Sequence, residues 1–253
     1  MNTIILCEGK TDAILIGYYI DKLCGFAHTN EKVNREITIA INKSNEFFEW
    51  HKRGDDCLAI WGVGGKNCFE SAIERFQNVL VKSADTLTYH QFIIVCDRDL
   101  EKDNKTIISE YSKWFTQSHI PLANNYLQKA EYINSFGQRR FINTFALIIP
   151  QDKLGALETA LLDSIREDDY DKNIVEKSEQ FVMDTRLVAS KYISSERLAL
   201  KAKLSAVFAI MSPEKVFSFI DDLLKTTVKW EEKQYLNDLF KELVKVFDHG
   251  ELQ

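Results

Sequence analysis

Three acidic side chains follow two apolar runs of the sequence. Glu8 comes directly after residues 4–7. Asp97 comes directly after residues 92–96, and Asp99 lies two positions further on. Apolar runs of this length are typical of strands that are buried on both faces of a parallel sheet. Ligands bind beyond the carboxyl ends of such strands, and acids gathered there repel one another unless a cation lies between them. The pattern therefore predicts a divalent metal site.

The pair Asp97 and Asp99 has a second interpretation, because aspartate also favours exposed turns. The presence of Glu8 favours the metal. Magnesium keeps several waters in its octahedral shell, so one or two carboxylates and a substrate phosphate complete its coordination. Residues two apart share one face of a strand, and just past the strand end both aspartates can turn into the crevice.

Together the two runs resemble the Toprim domain. The signature of that domain is a Glu-Gly pair after the first strand, here Glu8 and Gly9, and an Asp-x-Asp after a later strand, here residues 97–99. Toprim domains occur in topoisomerases, bacterial primases, small ribonucleases and overcoming-lysogenization-defect (OLD) nucleases, which act on phosphodiester bonds with divalent metal. The resemblance covers roughly residues 1–165. It implies a nuclease that uses Mg²⁺ or Mn²⁺, as one ion or two, with Glu8 in proton transfer or metal binding.

Two further acids are candidate ligands for a second ion. The OLD-like nucleases use an acid at the spacing of Asp12, but an acid in the first turn of a helix is equally favoured by the helix dipole. Glu158 lies in a segment, residues 155–163, that resembles a glutamate-bearing segment of nuclease-type Toprim proteins. Leu161 and Leu162 place it on an apolar helical face, so it either binds metal or makes a structural hydrogen bond.

Gly64, Gly65 and Lys66 form a glycine-rich turn between a predicted strand and a predicted helix. Such a turn can offer backbone N–H groups to a phosphate, with the lysine as a point charge. A P-loop is excluded by spacing, because Ile60 stands where glycine is needed and Asn67 where a hydroxyl is needed. The alternative is a tight turn that carries a solvated lysine.

Three more residues are candidate phosphate contacts. Gly9 and Lys10 follow Glu8 in the first strand-to-helix turn. Lys201 lies in a later apolar helix, from which it could approach a substrate phosphate or remain a surface charge.

The order of elements predicts an α/β fold. Strands alternate with helices over residues 1–170, which indicates a Toprim-like or Rossmann-like parallel sheet with helices on both faces. Residues 171–253 read as a helical C-terminal subdomain. We expect a short edge strand at 35–41, loops at 25–34 and 122–143, and a solvated acidic linker at 166–171.

Composition limits the class of protein. No stretch of about 18 uncharged apolar residues occurs, and a strand begins within three residues of the N-terminus, so we expect a cytoplasmic protein without signal peptide or membrane span. The five cysteines form no CxxC pair, which fits reduced thiols. The net charge of −6 argues against broad nonspecific adhesion to nucleic acid, but a bound cation would reverse the sign locally.

The function expected from these observations is metal-dependent cleavage of nucleic acid. A topoisomerase is disfavoured because no nucleophilic tyrosine domain, ATPase or zinc ribbon is recognisable. A partner chain could supply an ATPase, as in some defence systems built on nuclease-type Toprim domains. Two alternatives remain: a non-enzymatic metal-binding or adaptor protein, and a phosphohydrolase or phosphotransferase that acts on small nucleotides.

Overall fold

The structure is a computed structural model that describes residues 1–31, 37–42, 44–83, 88–115, 120–123, 126–215, 224–225 and 228–248. The chain divides into two compact units. The first contains Met1–Leu154 together with the residues from Glu242 onward, and the second contains Gly155–Lys241.

Seven strands form one sheet in the first unit. They are β1 (Asn2–Cys7), β2 (Ala27–Thr29), β3 (Phe47–Arg53), β4 (Asp56–Gly62), β5 (Gln91–Asp97), β6 (Gln128–Ile133) and β7 (Arg139–Ile149). Their order in the sheet is β2-β3-β4-β1-β5-β7-β6. The four central strands β4, β1, β5 and β7 are parallel, and β2, β3 and β6 add antiparallel edges. The predicted α/β class is confirmed, with a mixed sheet around a parallel centre.

The helices are α1 (Lys10–Cys24), α2 (Phe69–Lys82), α3 (Asn104–Ser112), α4 (Leu157–Ile165), α5 (Asp169–Val188), α6 (Glu196–Met211) and α7 (Gln234–Asp248). Short 3₁₀ turns cover Lys66–Cys68, Pro213–Lys215 and Trp230–Glu232. None of the described helices combines the length and the apolar character that crossing a membrane requires.

The order of the central strands creates a crevice between β1 and β5. The chain leaves β1 towards β4 on one side, and it leaves β5 towards β7 on the other side. The loops after these two neighbouring parallel strands therefore diverge. In open α/β sheets this arrangement opens the ligand-binding crevice at the carboxyl ends of the strands.

Helices cover both faces of the sheet. On one face, Ile4 and Leu6 of β1 pack in a buried cluster with residues of β5, α2 and α3, among them Phe76 and Tyr111. On the other face, α1 lies against β3 and β4, and a Cβ added to Gly17 would come within 2.7 Å of a Glu49 carboxylate oxygen. The buried apolar runs of β1 and β5 follow from this two-sided covering.

The structure corrects several predicted loops and edges. Residues 37–42 form no strand, and residues 35–36 lie outside the described part of the chain. The edge of the sheet is instead made by β2, within the predicted loop 25–34, and by β3. Residues 122–143 were predicted to be irregular, but β6 and the first part of β7 lie there as a hairpin. Ala130 and Tyr132 alternate with exposed residues of β6 and are buried in the core, which stabilises this hairpin.

The second unit contains α4, α5 and α6. Residues 166–171 do not form a linker, because Asp168 caps α5 by accepting hydrogen bonds from the N–H groups of Tyr170 and Asp171. Arg166, at the end of α4, pairs with Asp163 and with Glu179 of α5. Within the predicted helical subdomain, the Ser-Pro-Glu sequence at 212–214 predicts a helix that runs to residue 224. That helix falls largely on residues outside the described part, and Pro213–Lys215 forms a 3₁₀ turn.

Candidate active site at the ends of β1 and β5

Glu8 and Asp97 lie at the carboxyl ends of neighbouring parallel strands. Leu6 pairs with Ile94, and this register places Glu8 level with Cys96 and one residue from Asp97. Both acids are buried, with 3% of Glu8 and 7% of Asp97 exposed. The structure therefore places both predicted acids at the ends of neighbouring strands, beside the crevice between β1 and β5.

Two buried thiols lie close to these carboxylates. Burial raises the pKa of Cys7 well above its usual value, and the charges of nearby acids, among them Asp12, Glu8 and Asp97, raise it further. Burial also raises the pKa of Cys96, and Asp97 and Glu8 add to the effect. Glu8 and Asp97 raise the pKa of both thiols, so the two thiols and the two carboxylates lie in one small buried region.

Asp99 is held by Lys66 across the crevice. The Lys66 ammonium lies 3.1 Å from Asp99 Oδ2, and Asp99 has a left-handed backbone with φ of 53°. Burial lowers the pKa of Lys66, but the hydrogen bond to Asp99 and the charges of Asp99, Glu110 and Glu8 outweigh it, so the pKa is raised. Lys66 thus lies within the electrostatic reach of Glu8, which connects the predicted glycine-rich turn to the predicted carboxylates.

Arg98, between the two aspartates, is an internal anchor. It is 4% exposed, and its backbone N–H donates to the Ile149 carbonyl at 2.7 Å. Its guanidinium donates to three carbonyl oxygens, those of Pro150 at 2.9 Å, Lys102 at 3.1 Å and Gln151 at 2.6 Å. Arg98 therefore ties the loop after β5 to the loop after β7 and fixes the backbone that carries Asp97 and Asp99.

The glycine-rich turn holds the backbone of Glu8. The Glu8 carbonyl accepts the N–H groups of Gly64 at 3.0 Å and Gly65 at 2.7 Å. The sequence left open whether these two amides face a phosphate or only form a tight turn, and in the structure both donate to the Glu8 carbonyl oxygen. A Cβ on Gly62 would come within 2.6 Å of the Gly9 carbonyl oxygen, so the turns after β1 and β4 are in close contact.

Asp12 caps the first helix. Its Oδ2 accepts the Gly9 N–H at 3.0 Å, at the third helical position of α1. The structure thus shows Asp12 stabilising the N-terminus of α1, and its role as a metal ligand stays a prediction. Lys10, the first residue of α1, places its ammonium 5.5 Å from the centre of the Phe47 ring.

Glu158 and Lys201 form an ion pair within the second unit. Glu158 lies in the first turn of α4 and is 9% exposed, and Lys201 lies on α6. A buried carboxylate is stabilised by such a partner. The pair gives both residues a structural function in their own unit, and neither the ligand role of Glu158 nor the phosphate role of Lys201 is tested by it.

Glu49 and His51 of β3 are a part of this region that the sequence did not indicate. His51 Nε2 lies 2.9 Å from Glu49 Oε1, and Nδ1 lies 3.2 Å from the Phe26 carbonyl oxygen. The charge of Glu49 contributes to the raised pKa of Cys7, after burial and Asp12, so this partly buried pair lies near Cys7, the last residue of β1. Its residues belong to a strand that the sequence pattern did not predict, so no signal pointed to it.

The carboxylates fit a metal site in which water and substrate occupy most of the coordination positions, rather than a site filled by protein ligands. Within the described ranges, no group of three His, Cys, Asp or Glu side chains is arranged so as to hold a metal ion. Glu8 and Asp97 nevertheless provide the hard oxygen donors of one or two carboxylates, with which magnesium combines waters and substrate phosphate. Asp99 can join them more readily if its carboxylate leaves Lys66, whose ammonium lies 3.1 Å from Oδ2.

The fold and the crevice define an α/β protein with an acidic site at the switch point of a central parallel sheet. Residues 2–245 match the family described as "Protein of unknown function (DUF3226)", and the chain belongs to that family. No curated protein matches the chain. Among solved structures, the chain is similar to the hypothetical protein PH0156 from Pyrococcus horikoshii OT3, at 15% identity and a TM-score of 0.47, over 96% of this chain and 99% of that one.

Proposed function

We propose that this protein is a divalent-metal-dependent enzyme that cleaves phosphodiester bonds of nucleic acid. The observation that supports the proposal is the position of Glu8 and Asp97, both buried at the carboxyl ends of the neighbouring strands β1 and β5. Burying two carboxylates in one crevice is costly unless a cation or a proton compensates them. The position is also where open α/β sheets bind their ligands.

Each acidic residue has a proposed role. Asp97 and Asp99 would hold Mg²⁺ or Mn²⁺, which when bound stabilises the negative charge that develops on the phosphate. Glu8 accepts, on a carboxylate oxygen, the proton of the water that attacks phosphorus. Arg98 keeps the two aspartates in place through its bonds to carbonyl groups of the neighbouring loop.

Lys66 is the proposed phosphate contact. Its ammonium is 3.1 Å from Asp99 and carries a raised pKa, so it stays charged over the neutral range. A phosphate oxygen that enters the crevice competes with Asp99 for this ammonium. The exchange would free the Asp99 carboxylate for the ion at the moment when substrate binds.

One ion is favoured over two. A second ion needs additional carboxylate oxygens, and the candidates were Asp12 and Glu158. Asp12 caps α1 and Glu158 pairs with Lys201, so each has a structural role that binding metal would disturb. We place the activity in the cytoplasm, because all five cysteines are thiols and three of them are buried.

A cleavage assay tests the proposal. The full chain is incubated with end-labelled single-stranded DNA, double-stranded DNA, RNA and free nucleotides, each with Mg²⁺, Mn²⁺ or EDTA, and with a candidate ATPase partner where one is available. We expect cleavage of a polynucleotide that requires the metal. Glu8→Gln should abolish it, and Glu74→Gln, which changes an exposed acid on α2, should not.

Two results would contradict the proposal. One is a parent protein that cuts none of the polynucleotides under any of these conditions, which would favour the non-enzymatic adaptor. The other is equal cleavage by the parent and Glu8→Gln. Hydrolysis of free nucleotides alone would assign the crevice to small phosphate esters instead.

A further inference from the structure

Two apolar side chains are exposed to solvent at the edge of the sheet that bears the crevice. Phe47 begins β3 and is partly exposed, and it pairs with Gly62 at the carboxyl end of β4. Leu100 follows Asp99 in the loop after β5, and it is 80% exposed. The two residues therefore lie on opposite sides of the crevice between β1 and β5, at the same edge as Glu8.

The turn that carries Leu100 is held by several hydrogen bonds. The Glu101 N–H donates to the Arg98 carbonyl at 3.1 Å, which closes a four-residue turn. The Arg98 guanidinium donates to the Lys102 carbonyl on the far side of this turn. Asp99 has a φ of 53°, a left-handed conformation that is costly for a residue other than glycine and that is common at functional sites. An isolated exposed leucine is ordinary on a protein surface, but this one is fixed beside the proposed phosphate contact.

Phe47 has a cation beside its ring. The Lys10 ammonium lies 5.5 Å from the ring centre, within the distance of a cation–π contact. Lys10 begins α1 directly after Gly9, and a Cβ on Gly62 would come within 2.6 Å of the Gly9 carbonyl oxygen. Lys10 and Phe47 therefore lie next to the turn that follows Glu8.

An apolar side chain thus accompanies a lysine on each side of the crevice. Phe47 lies beside Lys10, and Leu100 follows the aspartate that binds Lys66. From β3 to β5 the sheet order spans three strand spacings, which is about 14 Å. At the rise of about 3.4 Å per nucleotide in a stacked strand, this distance corresponds to about four nucleotides. The edge is therefore long enough for a short stretch of a polynucleotide.

This combination of side chains suits a single-stranded polynucleotide. Lysines neutralise the phosphates of such a strand, and apolar side chains cover the faces of its bases. In a duplex, neighbouring bases stack on those faces and hide them, whereas an unpaired strand can present them to a protein. A free nucleotide has one base, so it would use only one of the two apolar residues.

We infer that a single-stranded polynucleotide binds across the carboxyl edge of the sheet, with one base on Phe47 and another on Leu100. Lys10 and Lys66 contact the phosphates between these bases. The inference rests on the proposed function and adds the class of substrate to it. Phe47 and Leu100 act in binding and in the choice of substrate. Bases held on both sides of the crevice keep the intervening phosphate at the carboxylates.

Binding measurements test the inference. Fluorescence anisotropy compares a labelled single strand with its duplex, both in Ca²⁺, which shares the preference of Mg²⁺ for oxygen ligands. The parent should bind the single strand about tenfold or more tightly than the duplex. Phe47→Ala and Leu100→Ser should each weaken binding of the single strand by about fivefold or more, because each loses the contact with one base. Leu187→Ser is the matched control, since Leu187 is 84% exposed on α5, and it should bind like the parent.

An abasic strand separates the contact with bases from a loss of structure. It keeps the phosphates, so the parent should bind it more weakly than the normal strand, and neither substitution should weaken it further. Phe47→Tyr and Leu100→Met keep the apolar contact and should bind the normal strand like the parent. Melting curves show whether each variant is folded, and Leu100→Ser, at an exposed position, decides the test if Phe47→Ala does not fold.

Several results would overturn the inference. They are an absence of binding to either polynucleotide, equal affinity of the parent for single strand and duplex, parental affinity in a folded Phe47→Ala or in Leu100→Ser, and an equal loss on the abasic strand. Cleavage assays keep the inference separate from the proposed function. Metal-dependent cleavage that is independent of Leu100 and of strandedness contradicts the inference alone. Binding of a single strand that depends on Leu100, without cleavage by the parent, contradicts the proposed function alone.

Discussion

The ammonium of Lys66 lies 3.1 Å from the Asp99 carboxylate, and the two residues are 33 positions apart in the chain. This pair places a protein cation beside the carboxylates at which a metal ion is proposed to bind. Lys66 also lies within the electrostatic reach of Glu8. The crevice is therefore partly neutralised by its own lysine when no other cation is bound.

Replacing this lysine should change metal binding and substrate binding in opposite directions. Lys66→Met removes the competitor for Asp99, so the affinity for Mn²⁺ should rise by about three- to fivefold, the equivalent of up to about 1 kcal/mol for a partly exposed pair. The affinity for polynucleotide should fall, because a phosphate contact is lost. Calorimetric titration measures the first effect and fluorescence anisotropy the second. Lys105→Met, at an exposed position of α3, should change neither. Weaker Mn²⁺ binding by Lys66→Met would show that the lysine does not compete with the metal.

The anchor formed by Arg98 should be important for stability and for the site together. Arg98→Met leaves three carbonyl groups without their donor, and we expect a loss of about 3 kcal/mol in the free energy of unfolding. Mn²⁺ binding should weaken in the protein that remains folded, since Asp97 and Asp99 flank the anchor. Urea denaturation and metal titration of the same sample measure both. Arg139→Met removes an exposed arginine and should cost less than about 0.5 kcal/mol. Equal stabilities of the two variants would rule out the anchoring role.

The contact between the turns after β1 and β4 predicts unequal effects at two glycines. A Cβ on Gly62 would meet the Gly9 carbonyl oxygen at 2.6 Å, whereas a Cβ on Gly9 would meet only Asp12 Oδ2, at 3.4 Å. Gly62→Ala must displace backbone, so it should lower the stability by about 1–3 kcal/mol more than Gly9→Ala does. Thermal melting compares the two variants. A Gly9→Ala protein as unstable as Gly62→Ala would contradict the close approach.

Glu158 should be a structural residue. Glu158→Ala leaves the Lys201 ammonium without its carboxylate partner, so the melting temperature should fall while the Mn²⁺ isotherm keeps its shape and stoichiometry. Lys201→Met should destabilise the protein in the same way, and the double variant should be less destabilised than the sum of the two single changes. A lower Mn²⁺ stoichiometry in Glu158→Ala would instead support a second metal site.

The central strands were predictable because their chemistry is local. Residues 4–7 and 92–96 are continuous apolar runs that end in acids, and such runs indicate buried parallel strands wherever they occur. The three-residue strand β2 has no such pattern. It exists because Ala27 and Thr29 pair with Lys52 and Trp50 of β3, which is a tertiary contact that a single segment does not encode.

The acids of the site were also predictable, but their partners were not. Glu8, Asp97 and Asp99 follow strand ends, so their common location follows from the geometry of a parallel sheet. Arg98 binds backbone carbonyls of residues more than 50 positions downstream, and carbonyl groups have no sequence signature. The glycine turn was recognised as a strand-to-helix turn, but its N–H groups hold the Glu8 carbonyl, and no local pattern distinguishes that use from binding a phosphate.

The proposed function requires that the carboxylates at the ends of β1 and β5 bind a divalent ion. Calorimetric titration of Mn²⁺ into the full-length protein and into the double variant Asp97→Asn/Asp99→Asn tests it most directly. The amides keep the shape of the side chains and relieve their repulsion, so the variant should stay folded, as its melting curve would show. We predict a saturable isotherm for the parent and no heat of binding for the variant. Equal binding by the two proteins, or no binding by the folded parent, would contradict the claim.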